Sequence, residues 1–249
     1  MKIIKKEYIS IVLQTVVILV IIFLYLYKLG DIPAGLFCDE ALIGYRSYEL
    51  LNKNLSGFVN PFFYNHFQYI LGSLPVYGTV PFIKLFGLSD SSVRLASVFF
   101  ALLSLYVLYR TLKVMKANYV ILTVIIFAIT PIFFHLSRIN IGHMFPFYFL
   151  ILGYYFYVKS NAWLSGLSFA ISLYGYGSFI LGTSALIFSI ILIEIIINKF
   201  EFKKYRKILI ILFIFILSSL PLVKMVITNP QYLKRLKDKN QNTLTFMSK

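Results

Sequence analysis

The sequence predicts an all-α polytopic membrane protein with about seven transmembrane helices, and three observations predict it. Of 249 residues, 59% are hydrophobic and 18% aromatic while 13% are charged, against ~25% charged residues in an ordinary soluble domain. Mean hydropathy is +0.83. Apolar runs of roughly spanning length recur along the whole chain, with basic residues gathered between alternate runs. A soluble globular protein is thereby excluded. The net charge of +15 would elsewhere suggest nucleic acid, but cytoplasmic loops of membrane proteins collect Lys and Arg, so membrane lipids and not nucleic acid are the expected partners. One cysteine, Cys38, permits no internal disulfide.

Taken in order, Lys2, Lys5 and Lys6 precede a first apolar run at 9–27, long enough at 1.5 Å per residue to cross ~30 Å of hydrocarbon. It exceeds the ~7–15 residues of a signal-peptide core and no A-x-A follows it, so it reads as a retained anchor. Residues 28–91 form a first loop, and 92–227 hold six further apolar runs at 92–109, 118–134, 141–158, 162–177, 179–197 and 208–227. Several are short, which asks for a locally thinned bilayer. With the N-terminus inside, Arg110, Lys113 and Lys116, then Lys159, then Lys199, Lys203, Lys204, Arg206 and Lys207 all fall inside, as the positive-inside rule requires. The loop 28–91 is then outside, and so is a basic tail at 228–249.

Two segments need a decision. Residues 66–88 are apolar enough to cross but carry Pro75, Gly78 and Pro81. A crossing there would move Arg110, Lys113 and Lys116 outside, so the segment is expected to be a re-entrant or interfacial hairpin packed on the bundle or lining a cavity. Tyr174-Gly175-Tyr176-Gly177-Ser178 interrupts the long apolar stretch after 162. Only a turn between two helices there returns the Lys199 cluster to the inside.

Acids are few and unevenly placed. Asp31, Asp39, Glu40 and Glu49 all fall in the stretch 28–65 of the first loop, against Lys28, Arg46 and Lys53. The run from Asp39 to Leu51 is amphipathic at helical spacing, and reads as a short helix lying in the interface. The residues alone leave two readings of Asp39 open: an N-cap, with Glu40 favouring the positive helix end, or a functional carboxylate. Arg138 likewise either snorkels to headgroup phosphates or shares a pocket with Asp39. His66, His135 and His143 lack metal-ligand spacing, and no metal site is expected. The tail carries Lys234, Arg235, Lys237 and Lys239 outside, against the charge trend, so either it meets anionic lipid phosphates or the parity of the crossings is different. Glycine-rich phosphate loops, a G-x-S-x-G elbow and paired-cysteine motifs are absent.

Four stretches in order carry a likeness: Gly35-Leu36-Phe37-Cys38-Asp39-Glu40-Ala41-Leu42-Ile43-Gly44-Tyr45, then Pro81-Phe82-Ile83-Lys84-Leu85-Phe86-Gly87-Leu88-Ser89 followed by Val93-Arg94-Leu95, then Ser137-Arg138-Ile139, then Leu173-Tyr174-Gly175-Tyr176. In order and spacing the chain resembles the membrane glycosyltransferases of the GT-C fold, in the branch of the protein O-mannosyltransferases and aminoarabinose transferases, family 39 and its relatives. The likeness runs over nearly the whole chain. It implies a GT-C-like helical bundle in the plasma membrane, acting in cell-envelope glycosylation. A sugar would pass from a polyprenyl-phosphate carrier to a protein, lipid or glycan acceptor on the outer face, with inversion. By resemblance Asp39 is the general base, with Glu40 beside it as a catalytic residue. Arg138, Lys234 and Arg235 would meet the carrier phosphate, and Tyr45, His66, Tyr77, Arg94, His143, Tyr174 and Tyr176 are candidate pocket residues. No cofactor is implied, and divalent-metal dependence is left open.

The chain also departs from that pattern. Lys53-Asn54-Leu55-Ser56-Gly57 lacks the usual second acid, Leu74-Pro75-Val76-Tyr77 stands where a polar signal is common, and Ile141-Gly142-His143 lacks an acid after the Ser-Arg pair. Relatives are generally longer, so the chain is expected to be an N-terminal portion or one half of a split enzyme with a partner chain. The rival expectation from another class is a non-catalytic membrane subunit that binds the carrier lipid. A transporter is a third, disfavoured by the scarcity of charge inside the spans.

Overall fold

The computed structural model describes residues 2–66, 69–198 and 206–228. It is mostly helical. Helix α1 is Lys2–Leu26 and α2 Cys38–Leu51; strands β1 Phe58–Asn60, β2 Phe63–His66 and β3 Tyr69–Gly72 follow, then α3 Leu74–Phe86, α4 Asp90–Val114, α5 Val120–Ile129, α6 Pro131–Arg138, α7 Met144–Val158, α8 Ala162–Ser172, α9 Ser178–Asn198 and α10 Arg206–Thr228. Among the described residues, α4, α9 and α10 contain stretches long and apolar enough to cross a membrane, and α5 with α6 makes a fourth across a bend of 63°. By length and composition this is a membrane protein. Shorter apolar helices are Gln14–Leu26 of α1, α3, α7 and α8. All seven apolar runs of the sequence contain helix, and the turn after Ser172 separates α8 from α9.

Local chemistry explains the boundaries. Pro131 opens α6, and Thr130 before it is extended at φ −57°, ψ 124°, because a proline ring pushes its predecessor out of the helical region. Ser89 caps α4: its hydroxyl accepts from the Ser92 amide at 3.2 Å while the Ser92 hydroxyl accepts from the Ser89 amide at 3.0 Å, satisfying two donors the helix leaves open.

The apolar core has two main centres. Tyr25 of α1 and Leu29 just past its end meet Val98, Ala101 and Leu105 of α4 with Ala128, Phe133 and Met144. The Tyr25 hydroxyl donates to the Ala128 carbonyl at 2.8 Å, so its one polar atom is satisfied in an apolar setting. Ala162 and Phe169 of α8 meet Ile187 and Ile190 of α9 and Ile211 of α10. Gly153 lets α7 approach α8 closely, since a Cβ there would lie 2.5 Å from the Phe169 ring.

The first loop departs from the sequence expectation twice. It holds a three-stranded antiparallel sheet in the order β1-β2-β3, with Phe63 opposite Gly72 and Tyr64 opposite Leu71, so the fold is not all helix. Residues 57–72 are rich in Phe and Tyr, broken at Asn60-Pro61 and bounded by Gly57 and Gly72, which is strand and turn chemistry. Residues 66–88, expected as a re-entrant or interfacial hairpin, hold strand and then helix. They pass from the end of β2 through β3 into one 13-residue helix, α3. Pro75 sits in the first turn of that helix, where no amide hydrogen bond is lost, and Pro81 removes one bond without stopping it. The short helix expected over 39–51 is present as α2, burying Glu40, Ile43, Gly44 and Ser47. Gly44 is needed there: a Cβ would lie 2.7 Å from a Val93 methyl.

Candidate active-site cleft at Asp39

Beneath the loop, two buried arginines organise the backbone around them. Arg94, fully buried, donates from Nε to Glu40 Oε1 at 3.1 Å and from Nη2 to Glu40 Oε2 at 3.2 Å. It also donates from Nη1 to the carbonyls of Leu29 at 3.1 Å and Pro33 at 2.8 Å, and from Nη2 to that of Gly35. Glu40, 1% exposed, further accepts from the amides of Phe37 at 3.0 Å and Asn140 at 2.9 Å. A buried ion pair of this kind survives desolvation only with its remaining donors and acceptors filled, and here they are. Asn140 extends the knot, its Nδ2 donating to Thr79 Oγ1 at 2.9 Å and to the Val93 carbonyl at 2.8 Å.

Arg138 works the same way at the end of α1. Its Nη1 donates to the carbonyls of Leu24 at 2.6 Å and Tyr25 at 3.2 Å, and its Nη2 to those of Tyr27 at 2.7 Å and Ile32 at 3.0 Å. A cation at the C-terminal end of α1 meets the negative end of the helix dipole and fills carbonyls the helix leaves open. Arg138 was expected at the carrier phosphate beside Asp39. Four carbonyls hold its guanidinium instead, and it does not line the cleft.

Asp39 itself stands at the second residue of α2. The N-cap is Phe37, and Glu40 reaches back to the Phe37 amide, so the capping reading of Asp39 is overturned. Asp39 lines a narrow cleft with Ile43 of α2, Tyr64, Leu71 and Gly72 of the sheet, Pro75 of α3, Ile141 and Gly142 between α6 and α7, and Gly175 and Tyr176 between α8 and α9. Its cavity volume is about 10 Å³, room for about one water molecule. Cys38, exposed beside it, donates from Sγ to Asp39 Oδ1 at 3.5 Å. Desolvation and then the Asp39 carboxylate hold the Cys38 thiol above its ordinary pKa.

The structure gathers some of the expected residues and scatters others. Tyr176 lines the cleft, and the His143 ring lies 4.3 Å from it at 31°. Tyr174 packs on Phe62 and Phe63, donates its hydroxyl to the Ser218 carbonyl of α10, and accepts at its own carbonyl from the Leu74 amide at 3.0 Å. It therefore positions the cleft wall without lining it. Glu40 and Arg94 are bound to each other below the cleft, and Glu40 does not face it. Tyr45 and Tyr77 are exposed, at 52% and 41%, and line none of it. Lys234, Arg235 and the side chain of His66 lie outside the described residues. Among the described residues no three His, Cys, Asp or Glu side chains gather as a metal site. Sequence reasoning missed Asn140 and Gly72. A lone amide between Ile139 and Ile141 marked the first. The second stands where a Cβ would meet the Tyr174 carbonyl oxygen at 2.2 Å, a crowding with no local signature.

Compared with models of known protein families, with curated proteins and with solved structures, the chain finds no match.

Proposed function

We propose that this chain is the core of a GT-C-type membrane glycosyltransferase. It transfers a sugar from a polyprenyl-phosphate carrier to an acceptor hydroxyl at the outer face of the plasma membrane. In this reading the seven apolar runs are seven crossings, with the N-terminus inside and the sheet, α2 and α3 outside. The observation that carries it is convergence: segments far apart in sequence, around Asp39, Pro75, Gly142 and Tyr176, line one cleft, on a scaffold knotted through Glu40, Arg94 and Asn140. They include or adjoin the stretches on which the resemblance rests.

The chemistry follows from the residues. Asp39 takes the proton of the acceptor hydroxyl as its oxygen attacks the anomeric carbon. The bond from that carbon to the phosphate oxygen breaks with inversion, and the phosphate leaves with the electron pair. A positioned base of this kind is worth ~10²–10⁴ in rate, and the phosphate asks for cations and not for an acid. Arg94 and Arg138 are committed to Glu40 and to carbonyls, which leaves Lys234 and Arg235 as the cations proposed for the carrier. A cleft of about 10 Å³ takes no sugar, so the 139–143 and 173–177 segments must part for the donor to enter.

The test is release of polyprenyl phosphate from a panel of polyprenyl-phosphate sugars by the detergent-purified chain, with Asp39→Asn beside it. Release that falls ~10²-fold or more in the Asn variant supports the proposal. Equal release from both removes Asp39 as the base. No release from either, with carrier binding retained, identifies a non-catalytic carrier-binding subunit.

A further inference from the structure

A second cavity lies far from Asp39, between α1, α4 and α5, with a volume of about 430 Å³. That is within the ~300–1,000 Å³ usual for small-molecule sites. Its walls are aliphatic, with Ile18 and Ile22 from α1, Leu105 from α4 and Val124 from α5. Its polar atoms lie toward one end. Arg94 at the head of α4 bonds the Leu29 carbonyl just beyond α1, so α1 and α4 run antiparallel, and Gln14 of α1 falls at the same end as Tyr106 and Tyr109 of α4.

Two cations stand at that end on the cavity's own tyrosines. Arg110 Nη1 donates to the Tyr106 hydroxyl at 2.6 Å, and Lys113 Nζ lies 4.8 Å from the Tyr109 ring centre. Both cations are exposed, and both belong to the group that the positive-inside rule places at the cytoplasmic surface. Within a bilayer an acyl chain gains nothing from apolar burial as such. Selectivity must therefore come from shape along the groove and charge at its rim.

We propose that this groove binds one anionic glycerophospholipid of the inner leaflet, an acyl chain between α1, α4 and α5 and the headgroup phosphate on Arg110 and Lys113. The proposal is independent of the glycosyltransferase reading, because it uses neither Asp39 nor its cleft. Each cation near an anionic headgroup contributes about fivefold in affinity.

Native mass spectrometry of the delipidated full chain, titrated with phosphatidylglycerol or with phosphatidylcholine of the same acyl chains, tests it. The expected result is one phosphatidylglycerol retained at least about tenfold more tightly than phosphatidylcholine. In R110Q/K113Q that preference is lost, the two lipids binding within about twofold of each other. Val124→Trp, and separately Leu102→Trp on the opposite wall, displace the lipid with both cations intact. Thermal unfolding accompanies each variant: bound lipid stabilises by mass action, so phosphatidylglycerol raises the Tm of the unaltered chain and not that of R110Q/K113Q. Equal binding of the two lipids overturns the proposal. So does binding that survives removal of the cations, or binding that survives both groove-filling variants.

Discussion

Asp39 and Glu40 are adjacent, yet one helical step divides their work. Position 40 faces inward with Ile43, Gly44 and Ser47, so Glu40 is captured by Arg94, while Asp39 is left at the edge of the cleft. Removing one partner of a buried pair leaves the other charge uncompensated, at about 3–5 kcal/mol. Glu40→Ala is therefore expected to lower the Tm of the purified chain strongly, with Glu40→Gln also destabilising because Arg94 keeps its charge. In a double-mutant cycle, Glu40→Ala with Arg94→Met should lose less stability than the sum of the two single changes. Strict additivity would mean that the pair is not coupled. Asn140 belongs to the same scale: its side chain and backbone tie α6, α4, α3 and α2 through Val93, Thr79 and Glu40.

Among the elements, the sheet decides the shape of the cleft. Gly72, at the end of β3, lets the Tyr174 carbonyl approach, and the next amide but one, that of Leu74, donates to that same carbonyl. A Cβ at 72 would stand 2.2 Å from the Tyr174 oxygen and 2.8 Å from that of Gly175, and backbone atoms have no rotamer with which to yield. Gly72→Ala is thus expected to displace the segment carrying Tyr176. Misplacement by about 1 Å costs ~10²-fold in turnover, against an overpacking cost of about 1–3 kcal/mol in stability. Gly182→Ala in α9, where a Cβ meets nothing within 4 Å, is the control and should change neither. Turnover unaltered in Gly72→Ala would show that this contact does not set the cleft. Helix α1 offers a parallel case, its end fixed by the Arg138 guanidinium from more than a hundred residues away.

For the whole molecule, the orientation in the membrane is the quantity to measure, and the single cysteine reports it. Cys38 is exposed and sits at the start of α2, in the loop proposed to face outward. A membrane-impermeant maleimide should label it in intact cells without permeabilisation. Labelling only after permeabilisation would invert the proposed topology. The thiolate is the reactive form, and both desolvation and the Asp39 carboxylate favour the protonated thiol. Labelling should therefore rise at higher pH than for a free cysteine, and Asp39→Asn should move the profile to lower pH. A profile unmoved by Asp39→Asn would deny the two groups their coupling.

Composition and periodicity by themselves determined the helical membrane class, the apolar runs, the amphipathic α2 and the break between α8 and α9. These rest on interactions within a dozen residues: apolar content, helical spacing, and prolines or glycines that end a helix. Asp39 also stood out as a candidate, as one of four acids gathered between 28 and 65 in a chain with nine. What only the tertiary structure decided is which charged groups remain available. Arg94, Arg138 and Glu40 look like site residues in a sequence, because burial and partners are set by chain segments up to 114 residues away. A buried guanidinium takes whatever carbonyls surround it, and no local pattern announces them. The sheet of 58–72 escaped for a related reason: its strands are three or four residues long, too short for alternation to declare itself before the register of pairing fixes which side is buried.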